Sequence, residues 1–97
     1  MKIIKEALAG TLESGDAKVK VVPAEGTPEI IISSDVIKQF GSQIRNVADT
    51  TLHQLGVSNG LIIIEDKGAL DCVLRARIQC AVLRASAAAL PNWEALS

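Results

Sequence analysis

The 97 residues predict a small α+β two-layer sandwich, a mixed four-stranded sheet in the order β-β-β-α-β-α with two helices on one face. Three observations lead to this class. Residues 7–14 and 17–22 alternate apolar and polar side chains with the period of a half-buried strand. Two later stretches, 35 to about 55 and about 69 to 87, carry apolar residues at helical period. Between them stands Leu61-Ile62-Ile63-Ile64, a wholly aliphatic run of the kind found in a central strand.

The first two strands read as a hairpin. Leu8, Gly10 and Leu12 form one face of the first, and Val19 and Val21 one face of the second. A two-residue turn at Gly15-Asp16 or at Ser14-Gly15 keeps these faces together, whereas a one-residue slip mixes them. Either turn leaves Ser14 at or beside the tip, and Leu12 beneath the helices. Pro23 to Pro28 is a turn-rich connection, and Glu29 to Ser33 a short third strand. Ser34 is placed to cap the first helix, with Asp35 at its positive end. Val36, Ile37, Phe40, Ile44, Val47, Thr51, Leu52 and Leu55 make its apolar stripe, and Gly56 is placed to end it. If the strands flanking this helix are parallel, the unit is a right-handed crossover. Leu70, Val73, Leu74, Ile78, Ala81 and Ala85 form the inward stripe of the second helix, with Asp71 and Arg75 spaced for an i,i+4 pair. Pro91 stops it. Residues 88–97, with Trp93, form a tail whose tryptophan either anchors a partner or packs on the helix.

One domain accounts for the whole chain. At this length roughly 60–70% of the unfolded surface is buried, enough to fold without metal or disulfides. One Phe, one Trp and no Tyr leave little for base stacking, and a net charge of −1 lacks the basic excess of nucleic-acid binders. Cys72 and Cys80 lie in one helix, two turns or ~12 Å apart, too far for a mutual disulfide. They read as buried or partly buried reduced thiols, which suits the cytoplasm. No Cys-x-x-Cys or second ligand cluster calls for zinc. The opening Met1-Lys2-Ile3-Ile4-Lys5-Glu6 gains charge before any signal-peptide core forms, and no apolar run is long enough to span a membrane.

Ser14 is the residue that carries chemistry. It stands beside a Gly-Asp pair between two strands, with no Gly-x-Ser-x-Gly and no base nearby in sequence. The only histidine, His53, reads as a solvated residue near a helix end. A serine without a base is a poor nucleophile for turnover, but a hydroxyl at a hairpin tip is a practical point of attachment. Taken alone, it is also an ordinary turn residue.

Two segments go further. Ala9-Gly10-Thr11-Leu12-Glu13-Ser14-Gly15-Asp16 resembles the start of the citrate lyase acyl carrier proteins, the gamma subunits of that complex. Lys67-Gly68-Ala69-Leu70-Asp71-Cys72-Val73-Leu74-Arg75-Ala76-Arg77 resembles their C-terminal helix. The resemblance covers most of residues 7–86. It implies that Ser14 carries, through a phosphodiester, 2'-(5''-phosphoribosyl)-3'-dephospho-coenzyme A delivered by a separate transferase. It implies further that the arm shuttles acetyl and citryl thioesters between an alpha subunit, which exchanges acetyl for citrate, and a beta subunit, which releases oxaloacetate. The chain itself would supply no bond-making group. The helical phosphopantetheine carriers present Asp-Ser-Leu at a helix start, and no such tripeptide occurs here.

Around that serine, Gly15 is expected to remove bulk and Asp16 to hydrogen-bond the turn backbone. Lys18, Lys20, Arg77 and Arg84 are candidates for contacts with the arm's phosphates or with partner subunits, or form a solvated face. Two other readings stand beside this one. One is the carrier of malonate decarboxylase, with the same type of arm. The other is a small α+β assembly module with no arm.

Overall fold

The computed structural model describes residues 1–34 and 37–86, with side chains described except at 37–41. The strands are β1 (Ala7–Gly10), β2 (Ala17–Val22), β3 (Glu29–Ser34) and β4 (Leu61–Asp66), and the helices α1 (Ile37–Leu55) and α2 (Asp71–Ala85). They follow one another as β-β-β-α-β-α, as the periodicity predicts. The sheet order is β1-β2-β4-β3, with β2 antiparallel to β1 and β4, and β3 parallel to β4. The strand–helix–strand unit therefore joins parallel neighbours, and the aliphatic run of β4 is central.

Strict alternation sets the two faces. Ala17, Val19 and Val21 of β2 and Ile62 and Ile64 of β4 are buried, and the register places Val19 opposite Ile64 and Val21 opposite Ile62. Ile44, Val47, Ala48 and Leu52 of α1 and Leu74, Ile78, Ala81, Val82 and Ala85 of α2 close over that face. The odd-numbered Ile31 and Ile63 and the even-numbered Lys18 and Lys20 point the other way, so this second face is open. Inside α1 the Thr51 hydroxyl is fully buried and donates to the Val47 carbonyl at 2.6 Å, which satisfies it without a partner from another element. Gly56 ends α1 as expected. At φ +68 it donates to His53, and Val57 donates to Leu52, the paired bonds of a Schellman motif.

The hairpin differs from expectation. β1 stops at Gly10, and Ala7 pairs with Val21 and Ala9 with Val19. The inward face of β1 is thus Ala7 and Ala9, while Leu8 and Leu12 are each 47% exposed. The reason is the approach of α2, which packs on both β1 and β2. Ala9, Ala17, Ala81 and Ala85 belong to one buried cluster, and alanines allow a helix to lie close where leucines would hold it away. Two-residue hairpin turns are therefore absent here, and residues 11–16 form a longer loop.

Other expectations are corrected in detail. Ser34 ends β3 and donates its hydroxyl to Asp66 Oδ2 at 2.9 Å, while residues 35 and 36 lie outside the described residues. Leu70 is the residue before α2 and is 71% exposed, so it is not part of the inward stripe. Asp71 accepts from Gln43 Nε2 at 2.7 Å, a bond from α2 to α1 where an i,i+4 pair with Arg75 was expected. Cys72 is exposed and Cys80 half-buried, both free, so only Cys80 matches a partly buried thiol. The opening segment, unassigned by its pattern, belongs to the core. Ile3 is buried, and its backbone is clasped by Asn59, which accepts from Ile3 N–H and donates to the Ile3 carbonyl. Pro91 and Trp93 lie outside the described residues.

Candidate functional site

Ser14 occupies a loop whose base is fixed and whose crown is open. Gly10 begins the loop at φ +87, a left-handed conformation that glycine adopts without steric cost. Asp16 ends it and organises it. One carboxylate oxygen accepts from the Thr11 hydroxyl at 2.7 Å and from the Thr11 N–H at 3.2 Å, and the other from the Ala17 N–H at 2.7 Å. Arg77 of α2 then donates from Nε at 2.9 Å and from a terminal nitrogen at 3.1 Å, the bidentate geometry that suits a guanidinium fork. These bonds hold the Asp16 carboxyl well below the usual carboxylate range, the Arg77 bond contributing most, then Thr11 and Ala17. The same pairing raises the Arg77 guanidinium further above its ordinary value.

A second set of bonds ties the loop to the turn after β4. Gly15 N–H donates to the Lys67 carbonyl at 2.7 Å, and Lys67 N–H to the Asp16 carbonyl at 2.9 Å. That turn is held by Asp66, whose carboxylate accepts from the N–H groups of Gly68 and Ala69 at 3.1 and 3.0 Å. Three elements therefore fix the loop: β1, α2 and the β4–α2 turn.

Between these anchors Ser14 is exposed, and no side chain among the described residues hydrogen-bonds its hydroxyl. A Cβ at the neighbouring Gly15 would meet nothing within 4 Å beyond its own chain neighbours, so that side of the loop is open as well. The arrangement fits a covalently attached group. A group joined to this hydroxyl would extend into solvent, because Ser14 is exposed. It does not fit catalysis by Ser14. His53 lies in the last turn of α1, at the end of the sheet where β4 begins, and the loop meets the other end of β4 roughly 17 Å away. No group of metal-binding side chains occurs among the described residues.

The four basic candidates do not converge. Arg77 is committed to Asp16. Arg84 donates to the Leu8 carbonyl at 2.7 Å, at the edge of β1. Lys18 and Lys20 lie on the open face of the sheet, and Lys20 pairs with Glu6 at 3.2 Å. Thr11, Asp66 and the backbone of Lys67 were not singled out by sequence, yet they build the loop. Asp66-Lys67-Gly68 carries a local signal, an aspartate two residues before glycine, as in an Asx turn. The Asp16–Arg77 pair spans 61 positions and has no local signal.

The domain is thus an open sheet with two helices on one face and an exposed serine on a braced loop, with no histidine beside it among the described residues. A family model described as "ACP: Malonate decarboxylase delta subunit (MdcD)" matches residues 4–85. The citrate lyase acyl carrier protein of Enterobacter sp. (strain 638) is 62% identical over the full length of both chains. That of Cronobacter sakazakii is 66% identical over 99% of each. Among solved structures, the crystal structure of a Pseudomonas malonate decarboxylase hetero-tetramer in complex with malonate contains a chain of the same fold. Its TM-score is 0.72, at 23% identity over 84% of each chain. The chain belongs to the citrate lyase acyl carrier protein family, whose members are non-catalytic carriers of acyl groups.

Proposed function

We propose that this chain carries acetyl and citryl groups within citrate lyase on an arm attached to Ser14. The observation that carries the proposal is the exposed, unengaged Ser14 hydroxyl on a loop anchored at both ends. The arm is 2'-(5''-phosphoribosyl)-3'-dephospho-coenzyme A, whose terminal thiol supplies the thioester chemistry. Its attachment requires a separate transferase. Ser14 Oγ forms a bond to phosphorus, pyrophosphate departs from a triphosphoribosyl precursor, and the serine proton passes to a base of the transferase. The alpha subunit then replaces acetyl by citrate, releasing acetate, and the beta subunit cleaves the citryl group to oxaloacetate and regenerates the acetyl carrier. Tethering raises the thioester's concentration at these partner sites to roughly millimolar. The cycle takes place in the cytoplasm, in keeping with the free thiols of Cys72 and Cys80.

Gly15 and Asp16 support the tip, Gly15 by leaving the hydroxyl accessible and Asp16 by holding the loop backbone. The exposed Leu8 and Ile31 give the open face an apolar component suited to subunit contact.

The test is the intact mass of the protein expressed with the transferase and the enzymes that make its precursor. The expected result is a single gain equal to the phosphoribosyl-dephospho-coenzyme A group, absent from Ser14→Ala. An adduct at Ser33 or Ser34 overturns the assignment. The description of the matching family model favours a second reading, the carrier of malonate decarboxylase. Loaded protein assayed with each set of partner subunits separates the two. Unchanged function in Ser14→Ala would leave an assembly module with no arm.

A further inference from the structure

Beside the loop, among the described residues, lies a cavity of about 690 Å³. That volume falls in the range of roughly 300–1,000 Å³ typical of small-molecule pockets. Ile44 of α1, Leu74 of α2 and Ala69 and Leu70 of the intervening turn give it an apolar lining, and Asp66 and Asp71 contribute carboxylates. Leu70 is 71% exposed there, a large aliphatic side chain left open where α2 starts. The cavity adjoins the attachment loop. Gly68 lines it, and Gly15 N–H is 2.7 Å from the carbonyl of Lys67, so standard bond lengths put the Cα atoms of Ser14 and Gly68 within roughly 8 Å.

We propose that this cavity receives the distal, thioester-bearing end of the arm on Ser14 and shelters it between visits to the partner sites. The proposal rests on Ser14 being the attachment point. Two observations select this occupant. The cavity opens next to the residue that would anchor it, so the tethered end is present at high local concentration. Its chemistry also matches one part of the arm. The distal end is a neutral chain of methylenes and amides ending in sulfur, which an apolar lining accepts. The phosphates of the arm are repelled by the Asp66 and Asp71 carboxylates, so they remain outside, near Ser14. Asp66 already accepts from Ser34, Gly68 and Ala69, which keeps its oxygens in place as part of the lining. Docking the thioester there reduces the approach of water and of stray nucleophiles to its carbonyl. It leaves the arm free to exchange to a partner subunit.

The full chain, loaded and acetylated, tests this in two ways. Amide spectra of loaded and unloaded protein should differ at Ile44, Leu70 and Leu74 as well as at Gly15 and Asp16. Hydroxylamine, whose nitrogen takes the acetyl group while the arm's thiolate leaves, should deacylate the protein at least about threefold more slowly than free acetyl-pantetheine. Protection of that size corresponds to a docked state populated about two-thirds of the time. Ala69→Phe, which fills the cavity, should restore the free rate. Leu70→Ala, an exposed substitution that spares the fold, should move the rate in the same direction. Equal rates for wild type, both variants and free thioester overturn the proposal, as do shifts confined to residues 13–16. Intact mass separates the two levels of failure. Without an adduct on Ser14 the carrier reading falls and this proposal with it. With the adduct but no protection, this proposal falls alone.

Discussion

Gly10→Ala and Gly15→Ala share a left-handed backbone but differ in the space around the new methyl group, and together they show what holds the Ser14 loop. The two glycines have nearly the same backbone, φ +87 and +83. Each alanine therefore pays the left-handed penalty of about 1–2 kcal/mol. At Gly15 nothing lies within 4 Å of the added Cβ, so the cost stops there. At Gly10 the Cβ would stand 1.8 Å from the Ala17 carbonyl oxygen and 3.0 Å from Arg77 Cδ. The oxygen belongs to β2 backbone paired with β4, and it cannot move without opening the sheet. Such overpacking adds about 1–3 kcal/mol, for a total of roughly 2–5 kcal/mol. For a domain of this size each kcal/mol moves the midpoint by about 4–8 °C. Gly15→Ala should then melt roughly 4–16 °C below wild type, and Gly10→Ala at least about 4 °C lower again. Far-UV circular dichroism with heat and urea is the assay, since the chain has no Tyr and a single Trp. Amide exchange at Thr11 and Ala17 should also accelerate in Gly10→Ala, because displacing Arg77 loosens Asp16. Equal stability of the two variants, or the larger loss at Gly15, would refute the close approach of β1 to β2 and α2.

The remaining expectations follow from burial and charge. Leu12→Ala, half exposed, should change stability by no more than about 0.5 kcal/mol in urea titration, and a loss above roughly 2 kcal/mol would return Leu12 to the core. Ile64→Ala, fully buried in the central strand, should cost about 2–5 kcal/mol in the same titration, and a negligible loss would contradict the register of β4 with β2. The Asp16 carboxyl titrates below its ordinary value of 3.8 in the folded chain, so the folded state binds fewer protons and the stability it supplies is full above that value and drains as pH falls below it. The gap in urea midpoint between wild type and Asp16→Asn should accordingly narrow from about pH 6 to about pH 2.5, and a constant gap would show that Asp16 exchanges no proton on folding.

Element order was legible because period and length separate strands from helices. Val19, Val21, Ile62 and Ile64 alternate or cluster as strands do, and Gly56 follows its stripe where a C-terminal cap belongs. The facing of β1 was not legible. Leu8, Gly10 and Leu12 share a parity, and hydropathy weights leucine over alanine. The opposite choice is made by α2, which packs on β1 and contributes Ala81 and Ala85 to the same buried cluster as Ala9. That contact links residues about seventy positions apart, and period along one strand does not encode it. Leu70 illustrates the same limit. It fits the helical stripe, but it precedes α2, outside the turns that press on the sheet.

Ser14 was singled out by its neighbours in sequence, whereas its orientation depends on groups far from it. A loop of six residues has too few internal bonds to fix its own crown, and Asp16 N–H to Glu13 and Glu13 N–H to Thr11 are its only internal backbone-donor bonds apart from those to Asp16. Arg77 and Lys67 supply the rest, one through side-chain donors and one through backbone groups. The direction in which Ser14 projects is therefore set by how α2 and the β4–α2 turn pack on the sheet. Under the proposed attachment at Ser14, an arm would start from a defined point, with its reach measured from the whole domain and its flexibility its own. A carrier that must present one thioester to sites on different subunits gains from that division, because ordering a long loop at each encounter would add entropy cost to every transfer.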